Sequence, residues 1–207
     1  DIRDYQKIMA EFGTMEDFDK LLDEIHARGM KLIIDLVVNH TSDEHKWFQE
    51  ALKGKDNPYH DYYIWRDATD KGITPPNNWI SLFKGSAWNY YENLNQWALH
   101  LFTKKQMDLN WENEKVRQSV YEMMLWWLDK GVDGFRMDVI NFISKTQGLP
   151  EANAFLGTLT GFKGAEYYFY GPRLHEFLHE MREKTFGPEH RDRDKRRDRK
   201  ASDILKQ

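Results

Sequence analysis

The sequence contains no cysteine, and this excludes disulfides, thiolate catalysis and thiolate metal ligands. The absence of cysteine is typical of a reducing compartment, so we expect a cytoplasmic protein. The sequence also has no uninterrupted apolar stretch of the roughly 18 residues that a membrane span requires, and no signal peptide is recognisable. We therefore expect no membrane partner.

Neither sign of charge dominates the chain. The 30 basic and 34 acidic residues give a net charge of −4, which is too small to attract nucleic acid through a general field. The segment EHRDRDKRRDRK at residues 189–200 differs, since it carries seven basic residues, four acidic residues and no apolar residue. Because its acids alternate with its bases, we interpret residues 188–207 as a solvated, disordered tail. A nucleic-acid or membrane patch is the alternative for this tail, but we expect no nucleic-acid partner.

The chain begins with a predicted helix and a predicted strand. In TMEDFDKLLDEIHARG, Thr14 and Asp17 have the spacing of a capping box, and Gly29 ends the helical pattern. The run LIIDLVV at residues 32–38 is apolar apart from Asp35, which is typical of a parallel strand covered on both faces. The apolar stripe of the helix consists of Phe18, Leu21, Leu22 and Ile25.

A second helix and strand follow a long interval. The interval from Thr41 to Glu112 is too long for an ordinary loop and predicts an inserted subdomain. A helix is predicted over residues 115–130, the strand VDGFRMDV follows at once, and a further helix begins at Gly171–Pro172. This order of elements indicates an α/β fold with parallel strands. The stripe of the second helix consists of Val116, Val120, Met124 and Trp127.

Charged residues interrupt the second strand. Arg136 and Asp138 lie two residues apart, so a strand presents both side chains on one face. The first strand ends in DLVVNH, and ligands of parallel α/β folds bind at the carboxyl ends of strands. Asn39 and His40 are therefore also in the right place for a site. The alternative is that Asp35 joins Arg136 and Asp138 in buried ion pairs that fix the interior, with a structural role for His40.

The pairing of Arg136 with Asp138 has a definite chemical use. An arginine beside a carboxylate lowers the pKa of that carboxylate and keeps it ionised. An ionised aspartate at a strand end suits a nucleophile, or a group that stabilises a cationic transition state. Retaining glycosidases need such a group together with a carboxylic acid roughly 5 Å away. The same constellation fits a metal site or an aldolase-like barrel, so the residues alone leave these alternatives open.

Longer motifs give the chain a family resemblance from Asp1 to about Phe186. It closely resembles the oligo-1,6-glucosidase group of glycoside hydrolase family 13, the α-amylase family, in the segments DLVVNHTSDEHKWF, KDNPYHDYYIWRD, PNNWISLFKGSAW, LHLFTKKQMDLNWEN and DKGVDGFRMDVINF. This resemblance implies part of a (β/α)8 TIM barrel, with the two strands as its third and fourth strands. It implies a partial barrel at residues 1–40 and 113–187, and a subdomain inserted after the third strand at residues 41–112.

The resemblance also implies roles for individual residues. Asp138 is expected to be the nucleophile that forms a covalent glucosyl intermediate, and Arg136 is expected to hold it ionised. His40 is expected to hydrogen-bond the sugar in the subsite being cleaved. Val139, directly after the nucleophile, resembles the members that prefer α-1,6 linkages. Phe83, Phe102 and Gln106 are expected to line the glucose pocket, with core packing or a loop hydrogen bond as the alternative.

The implied partner is a small oligosaccharide substrate of the isomaltose type, with no cofactor and no metal. Asn39 resembles a calcium ligand of the α-amylases, but the oligo-1,6-glucosidase group generally does without that site. The family's general acid/base glutamate, expected in a VGE-type motif after a fifth strand, has no match in the sequence. The alternative to a glucosidase is therefore a non-catalytic sugar-binding or vestigial module.

Overall fold

A computed structural model describes residues 2–187 of the 207-residue chain. The predicted tail at residues 188–207 lies outside the described residues. The helices are α1 (Met15–Ala27), α2 (Lys46–Ala51), α3 (Glu114–Lys130), α4 (Ala154–Thr160), α5 (Ala165–Tyr168) and α6 (Leu174–Phe186). The strands are β1 (Ile33–Val37), β2 (His40–Ser42), β3 (Trp65–Asp67), β4 (Trp88–Tyr91), β5 (Gln96–Leu99), β6 (Gln106–Asp108) and β7 (Gly134–Asp138).

Strands β1 and β7 pair in parallel and carry the polar residues of interest at their carboxyl ends. Their register places Asp35 opposite Arg136, and Val37 opposite Asp138. Helix α3 leads into β7 and packs against α6. The prediction of an α/β arrangement with parallel strands is therefore confirmed.

Two small antiparallel sheets lie between β1 and α3 in the chain. Strand β2 pairs with β6, while β5 lies between β3 and β4 in a three-stranded sheet. These strands are three or four residues long, so no alternating pattern could develop in the sequence. The bounds of the inserted subdomain at residues 41–112 stay a prediction.

Helix α1 begins as the sequence predicts. The Asp17 N–H donates a hydrogen bond to the Thr14 hydroxyl (3.2 Å), and the Thr14 N–H donates one to the Asp17 carboxylate (2.9 Å). One residue of the predicted stripe is wrong, since Leu21 is 54% exposed whereas Leu22 is 3% exposed. Successive residues lie about 100° apart around a helix, so Leu21 falls beyond the edge of the packed face.

Helix α3 contributes most to the larger hydrophobic core. It is capped by Asn113, whose side chain accepts a hydrogen bond from the Lys115 N–H (2.9 Å), and it ends at Gly131 with φ 121°. Its predicted stripe is confirmed, because all four residues are buried. They pack with Leu36 of β1 and with buried residues of α6. A second core combines Trp88 and Leu99 of the three-stranded sheet with Trp79, Phe142 and Tyr168 from outside it.

Strand β1 is not covered on both faces, contrary to the prediction. Leu36 is buried, but Ile33 is 61% exposed and the Asp35 side chain is 55% exposed on the opposite face. The apolar run thus predicted the strand correctly, but the prediction that both of its faces are covered is wrong. A complete (β/α)8 barrel fills this face with side chains from many strands, and residues 2–187 contribute two parallel strands.

The chain turns sharply where β7 ends. Val139 has φ 43°, in the left-handed region that a β-branched residue rarely adopts. The predicted strand VDGFRMDV extends to Val139, and this is wrong at that end, because β7 ends at Asp138. Val139 instead packs against the second core, and Ile140–Phe142 forms a 3-10 helix directly after it.

The segment after β7 contains the short helices α4 and α5, for which the sequence analysis gave no prediction. Helix α6 begins at Leu174 rather than at Gly171–Pro172, and it buries Leu174, Phe177 and Met181. None of the helices within residues 2–187 combines the length and the apolar character needed to cross a bilayer.

The contrast between two neighbouring leucines of α1 is testable. Leu22→Ala removes a buried side chain, and we expect it to lower the free energy of unfolding by about 2–5 kcal/mol. Leu21→Ala makes the same chemical change at an exposed position and should cost clearly less. Urea unfolding followed by circular dichroism compares the two, and equal losses would contradict this packing of α1.

His45 should make stability depend on pH. Its Nδ1 accepts a hydrogen bond from the Trp47 N–H at the start of α2, and burial lowers the pKa of His45 from 6.5 to about 4. The unfolded chain protonates this ring more readily, so the stabilisation is complete above pH 6.5 and is lost as pH falls through 4. Over this pH range the free energy of unfolding should fall by about 3 kcal/mol. His45→Asn, which keeps a capping oxygen, should flatten this part of the curve in urea unfolding, and an unchanged curve would contradict the assignment.

Candidate active site

A guanidinium joins two carboxylates at the ends of the parallel strands. Arg136 Nη1 lies 3.0 Å from each oxygen of Asp35 and 3.0 Å from Oδ1 of Asp138. The strand register produces this arrangement, because it places Asp35 opposite Arg136, and Asp138 lies two residues further on the same face. The hydrogen bonds to Asp35, then the charges of Asp35 and Asp138, raise the pKa of Arg136 above its ordinary value. The guanidinium is therefore held charged beside Asp138.

These ion pairs are not buried, so the alternative of a buried network that fixes the interior is wrong for the described residues. The side chains of Arg136, Asp35 and Asp138 are 60%, 55% and 32% exposed. Exposed pairs contribute little to stability. Their effect is to orient Asp138, whose carboxylate remains accessible on the open face of the strands.

His40 lies beyond the end of β1, as the first residue of β2. It is 3% exposed, and its Nε2 is 3.2 Å from Gln106 Nε2. Burial lowers the pKa of His40, and the charges of Asp108 and Asp138 act in the opposite direction with a smaller effect. The register also places Val37, three residues before His40, opposite Asp138. Phe102 packs on the imidazole with its ring centroid 4.9 Å away.

Hydrogen bonding also favours the neutral imidazole. The Gln106 Oε1 accepts a bond from the Thr103 N–H, so its NH₂ group faces His40 Nε2. The Asn39 Oδ1 accepts a bond from Lys145, so its NH₂ group faces His40 Nδ1 at 3.3 Å. A doubly protonated ring would present N–H groups to donors on both sides. The neutral ring accepts one of these bonds and presents one N–H rather than two toward the amide donors.

An aromatic wall stands next to His40. The ring centroid of Phe102 is 5.5 Å from that of Phe142 and 6.4 Å from that of Phe83. Phe83 is 65% exposed, so its ring is open to contact from outside. Val139 packs in the same cluster as Phe102. The structure thus brings Phe83, Phe102, Gln106 and His40 together, while their roles toward a sugar stay predictions.

A buried ion pair, which the sequence analysis did not predict, contacts Asn39, the residue before His40. Lys145 Nζ is 2.8 Å from Asp108 Oδ1 and 2.9 Å from Asn39 Oδ1. The Asn39 NH₂ group also donates to Asp108 Oδ1 (3.0 Å), and the Leu101 N–H donates to Asp108 Oδ2 (2.8 Å). The Asp108 and Lys145 side chains are 0% and 5% exposed. Burial lowers the pKa of Lys145, and the Asp108 carboxylate opposes that effect.

These contacts bear on the calcium-binding position of the α-amylases that Asn39 resembles. The oxygens of Asn39 and Asp108 that could bind a cation are directed at the Lys145 ammonium. Positive charge is therefore already supplied from the chain, and the residues do not fit an added divalent cation there. Residues 2–187 contain no cluster of three histidine or acidic side chains in metal-binding geometry.

A sequence signal for the missed pair exists. Asp108 lies between Met107 and Leu109, and Lys145 follows Ile143 and Ser144, so each charge interrupts a buried stretch. This is the same signal that singled out Arg136 in β7. A charge inside an apolar run predicts a partner, because burying it alone is costly. The sequence does not show which distant charged residue is that partner.

Breaking this pair should destabilise the fold. Lys145→Met leaves the Asp108 carboxylate buried without its counter-charge, and we expect a loss of about 3–5 kcal/mol in urea unfolding. The double variant Lys145→Met/Asp108→Leu removes both charges and should recover part of that loss. Lys115→Met, at an exposed position of α3, is the matched control and should unfold like the unchanged chain. A double variant less stable than Lys145→Met would contradict the ion-pair interpretation.

Comparison with known proteins places this site in a family. The family model "Alpha amylase, catalytic domain" matches residues 1–195. The chain is 62% identical over 183 residues to an oligo-1,6-glucosidase of Halalkalibacterium halodurans, covering 88% of this chain and 32% of that protein. It is 55% identical over 186 residues to a trehalose-6-phosphate hydrolase of Bacillus subtilis, covering 90% of this chain and 32% of that protein.

Solved structures agree with these relatives. The crystal structure of a trehalose-6-phosphate hydrolase from Bacillus licheniformis matches with a TM-score of 0.84 at 53% identity, covering 91% of this chain and 32% of that chain. The trehalulose synthase of Pseudomonas mesoacidophila matches with a TM-score of 0.84 at 47% identity, covering 91% of this chain and 33% of that chain. This chain thus spans about a third of the length of its relatives. The fold class is confirmed as part of a (β/α)8 barrel, and the chain belongs to the α-amylase family.

Proposed function

We propose that this chain is the nucleophile-bearing part of a retaining α-glucosidase that acts on short α-glucosidic oligosaccharides. The observation that carries the proposal is the Arg136–Asp138 contact at the carboxyl end of β7, with the buried His40 just beyond the end of the paired strand β1. The 62% identity to an oligo-1,6-glucosidase supports the same class of substrate. The absence of cysteine supports a reducing compartment, and we propose the cytoplasm.

Asp138 is the proposed nucleophile. One carboxylate oxygen attacks the anomeric carbon, the bond from that carbon to the glycosidic oxygen breaks, and the leaving oxygen takes up a proton. Water then attacks the same carbon, loses a proton to a base and releases the Asp138 carboxylate. Arg136 holds that carboxylate at 3.0 Å, so Asp138 does not need to be reoriented when substrate arrives.

The group around His40 is proposed to hold the glucose unit. A neutral His40 is proposed to hydrogen-bond one sugar hydroxyl, and Gln106 at 3.2 Å offers its amide to another. The exposed ring of Phe83 and the neighbouring Phe102 supply apolar surface for the carbon–hydrogen face of a sugar ring. Each of these is a sugar-binding role rather than a step in bond cleavage.

Protonation of the leaving oxygen requires a second carboxylic acid, roughly 5 Å from the nucleophile in retaining enzymes. Asp35 is the other carboxylate that contacts Arg136, and both of its oxygens already accept hydrogen bonds from Nη1. We assign Asp35 to anchoring the guanidinium. The acid is proposed to come from outside residues 2–187.

The linkage preference is a finer proposal. Val139 supports a preference for α-1,6 bonds, because the residue after the nucleophile resembles that of the members that prefer this linkage, and it packs in the same cluster as Phe102. The relatives include proteins named for other linkages, such as the trehalose-6-phosphate hydrolase at 55% identity. The preference among glycosidic linkages must therefore be measured with competing substrates rather than inferred from sequence identity to the relatives.

A chimera tests the proposal. Residues 2–187 replace the matched segment of the Halalkalibacterium halodurans oligo-1,6-glucosidase, and glucose release is measured with isomaltose, maltose and trehalose 6-phosphate. We expect isomaltose to be the best of the three substrates. Asp138→Asn in the chimera should lower kcat by about 10³-fold or more, because a neutral amide cannot form the glucosyl ester.

Two comparisons make this result interpretable. Asp23→Asn makes the same change on the exposed side of α1 and should leave kcat unchanged. A folded chimera that binds isomaltose without cleaving it would favour the sugar-binding alternative. Equal activity of the chimera and its Asp138→Asn variant would rule out Asp138 as the nucleophile.

A further inference from the structure

Four successive backbone carbonyls accept hydrogen bonds where β1 passes into β2, and they belong to Val37, Val38, Asn39 and His40. The Tyr5 hydroxyl donates to the first of them at 2.9 Å and to the last at 3.3 Å. Trp111 Nε1 donates to the second at 2.8 Å, and the Leu109 N–H donates to the third at 2.9 Å. The backbone that carries the imidazole is therefore held at each of these residues by donors from other segments.

Tyr5 differs from the other two donors because its one hydroxyl group joins two separate carbonyls. Val37 is the last residue of β1 and lies opposite Asp138 in the parallel register. His40 is the first residue of β2 and carries the imidazole. The hydroxyl has a single hydrogen, so the two carbonyls share it, with Val37 at the shorter distance. This bridge ties the position of His40 to the strand end beside Asp138.

The Tyr5 ring is held in place independently of its hydroxyl. Trp127 Nε1 donates to the Tyr5 backbone carbonyl at 2.8 Å. The ring centroids of His45 and Trp47 lie 5.3 and 5.7 Å from that of Tyr5. Burial raises the pKa of Tyr5 above its ordinary value of 10, so the hydroxyl stays protonated and remains a donor. Removal of the hydroxyl oxygen should therefore release the two carbonyls while the ring keeps its place.

The bridge is also separate from the buried ion pair. Lys145 and Asp108 hold the side-chain amide of Asn39, whereas Tyr5 holds the backbone on both sides of that residue. Loss of the Tyr5 hydroxyl leaves both charges of the pair matched, so the large penalty for an unpaired buried charge does not arise. Tyr5→Phe thus changes the backbone at His40 without breaking the ion pair.

The contacts of the imidazole leave little room for displacement. Its Nδ1 lies 3.3 Å from the Asn39 amide nitrogen, and its Nε2 lies 3.2 Å from the Gln106 amide nitrogen. Both distances are at the long end for hydrogen bonds of this kind, so a shift of about 1 Å would lose one contact. A backbone released at the His40 carbonyl therefore changes how the ring approaches the two amides, and with it the preferred tautomer of the ring.

We propose that Tyr5 is a positioning residue, whose hydroxyl sets the His40 imidazole relative to Asp138 by bridging the Val37 and His40 carbonyls. Its hydrogen bonds go to backbone oxygens, so it acts on a sugar through His40 rather than by contact. The effect on hydrolysis rests on the proposed function, while the effect on His40 itself does not. The experiment therefore has one part that needs no activity and one part that measures it.

Nuclear magnetic resonance of the 207-residue chain tests the link between Tyr5 and His40. Two-bond hydrogen–nitrogen correlation spectra report the tautomer of each imidazole, and the His40 signals are identified by their loss in His40→Asn. We expect Tyr5→Phe to shift the His40 ring nitrogens toward a mixture of the two tautomers. Tyr62→Phe removes a hydroxyl that contacts the Ser119 hydroxyl at 3.1 Å, and this control should leave the His40 signals unchanged. Unchanged His40 signals in folded Tyr5→Phe would overturn the proposal.

A measurement on the unchanged chain covers the case in which Tyr5→Phe does not fold. The bridging hydroxyl proton of Tyr5 should exchange slowly with water, because two acceptors hold it. It should also show cross-peaks to backbone protons of residues 37–41. A Tyr5 hydroxyl proton that exchanges rapidly with water would contradict the bridge.

Kinetics in the chimera described above tests the consequence for the hydrolysis of isomaltose. Tyr5→Phe should lower kcat/KM by about tenfold, because a small displacement of a binding group is costly to the reaction. In a His40→Asn background the same change should cost less than about twofold, since the residue through which Tyr5 acts is gone. Tyr62→Phe should leave kcat/KM unchanged in both backgrounds. Equal losses from Tyr5→Phe in the two backgrounds would indicate a general structural effect and count against the positioning role.

Failure of the proposed function has a different signature. Equal activity of the chimera and its Asp138→Asn variant removes the nucleophile assignment and leaves both resonance measurements valid as tests of the bridge. If Tyr5 has no positioning role, Asp138→Asn is still inactive while Tyr5→Phe retains full activity.

Discussion

The buried contact between Lys145 and Asp108 is the interaction on which the site depends. It joins three segments that are distant in the chain: Asn39 after β1, Asp108 at the end of β6, and Lys145 after β7. Each charge would be costly to bury alone, so the three segments are stable together only in this arrangement. Because Asn39 is held by both charges, the imidazole of His40 next to it has a defined partner at Nδ1.

The charged group at Arg136 differs from the buried pair, because it is exposed to solvent. Arg136 and its two carboxylates lie on an open face, where ion pairs add little to stability. Their geometry comes from the parallel register of β1 and β7, which sets Asp35 against Arg136. The buried pair thus fixes the scaffold, while the exposed group sets the orientation of a reactive carboxylate. This division allows Asp138 to stay accessible without weakening the fold.

Local patterns predicted the elements well, and distant contacts account for the errors. The capping box at Thr14 and the stripe of α3 depend on residues three or four apart, so the sequence contains the whole signal. The coverage of β1 and the exposure of Leu21 depend on which other segments are present. The left-handed turn at Val139 opposes local propensity and is imposed by packing against the second core. The partner of Lys145 is 37 residues away in the chain, beyond any pattern of periodicity.

The protonation state of His40 limits what this part of the protein can do chemically. Burial lowers the pKa of the ring, and amide NH₂ groups face both of its nitrogens, so the imidazolium is disfavoured on two independent grounds. A ring held neutral is a poor proton donor to a leaving alcohol but a good hydrogen-bond partner for a sugar hydroxyl. In the proposed mechanism, proton transfer is therefore assigned to a carboxylic acid, and His40 to recognition. That separation supports the proposal that Asp138 carries the covalent chemistry, with the surrounding residues acting by orientation and binding.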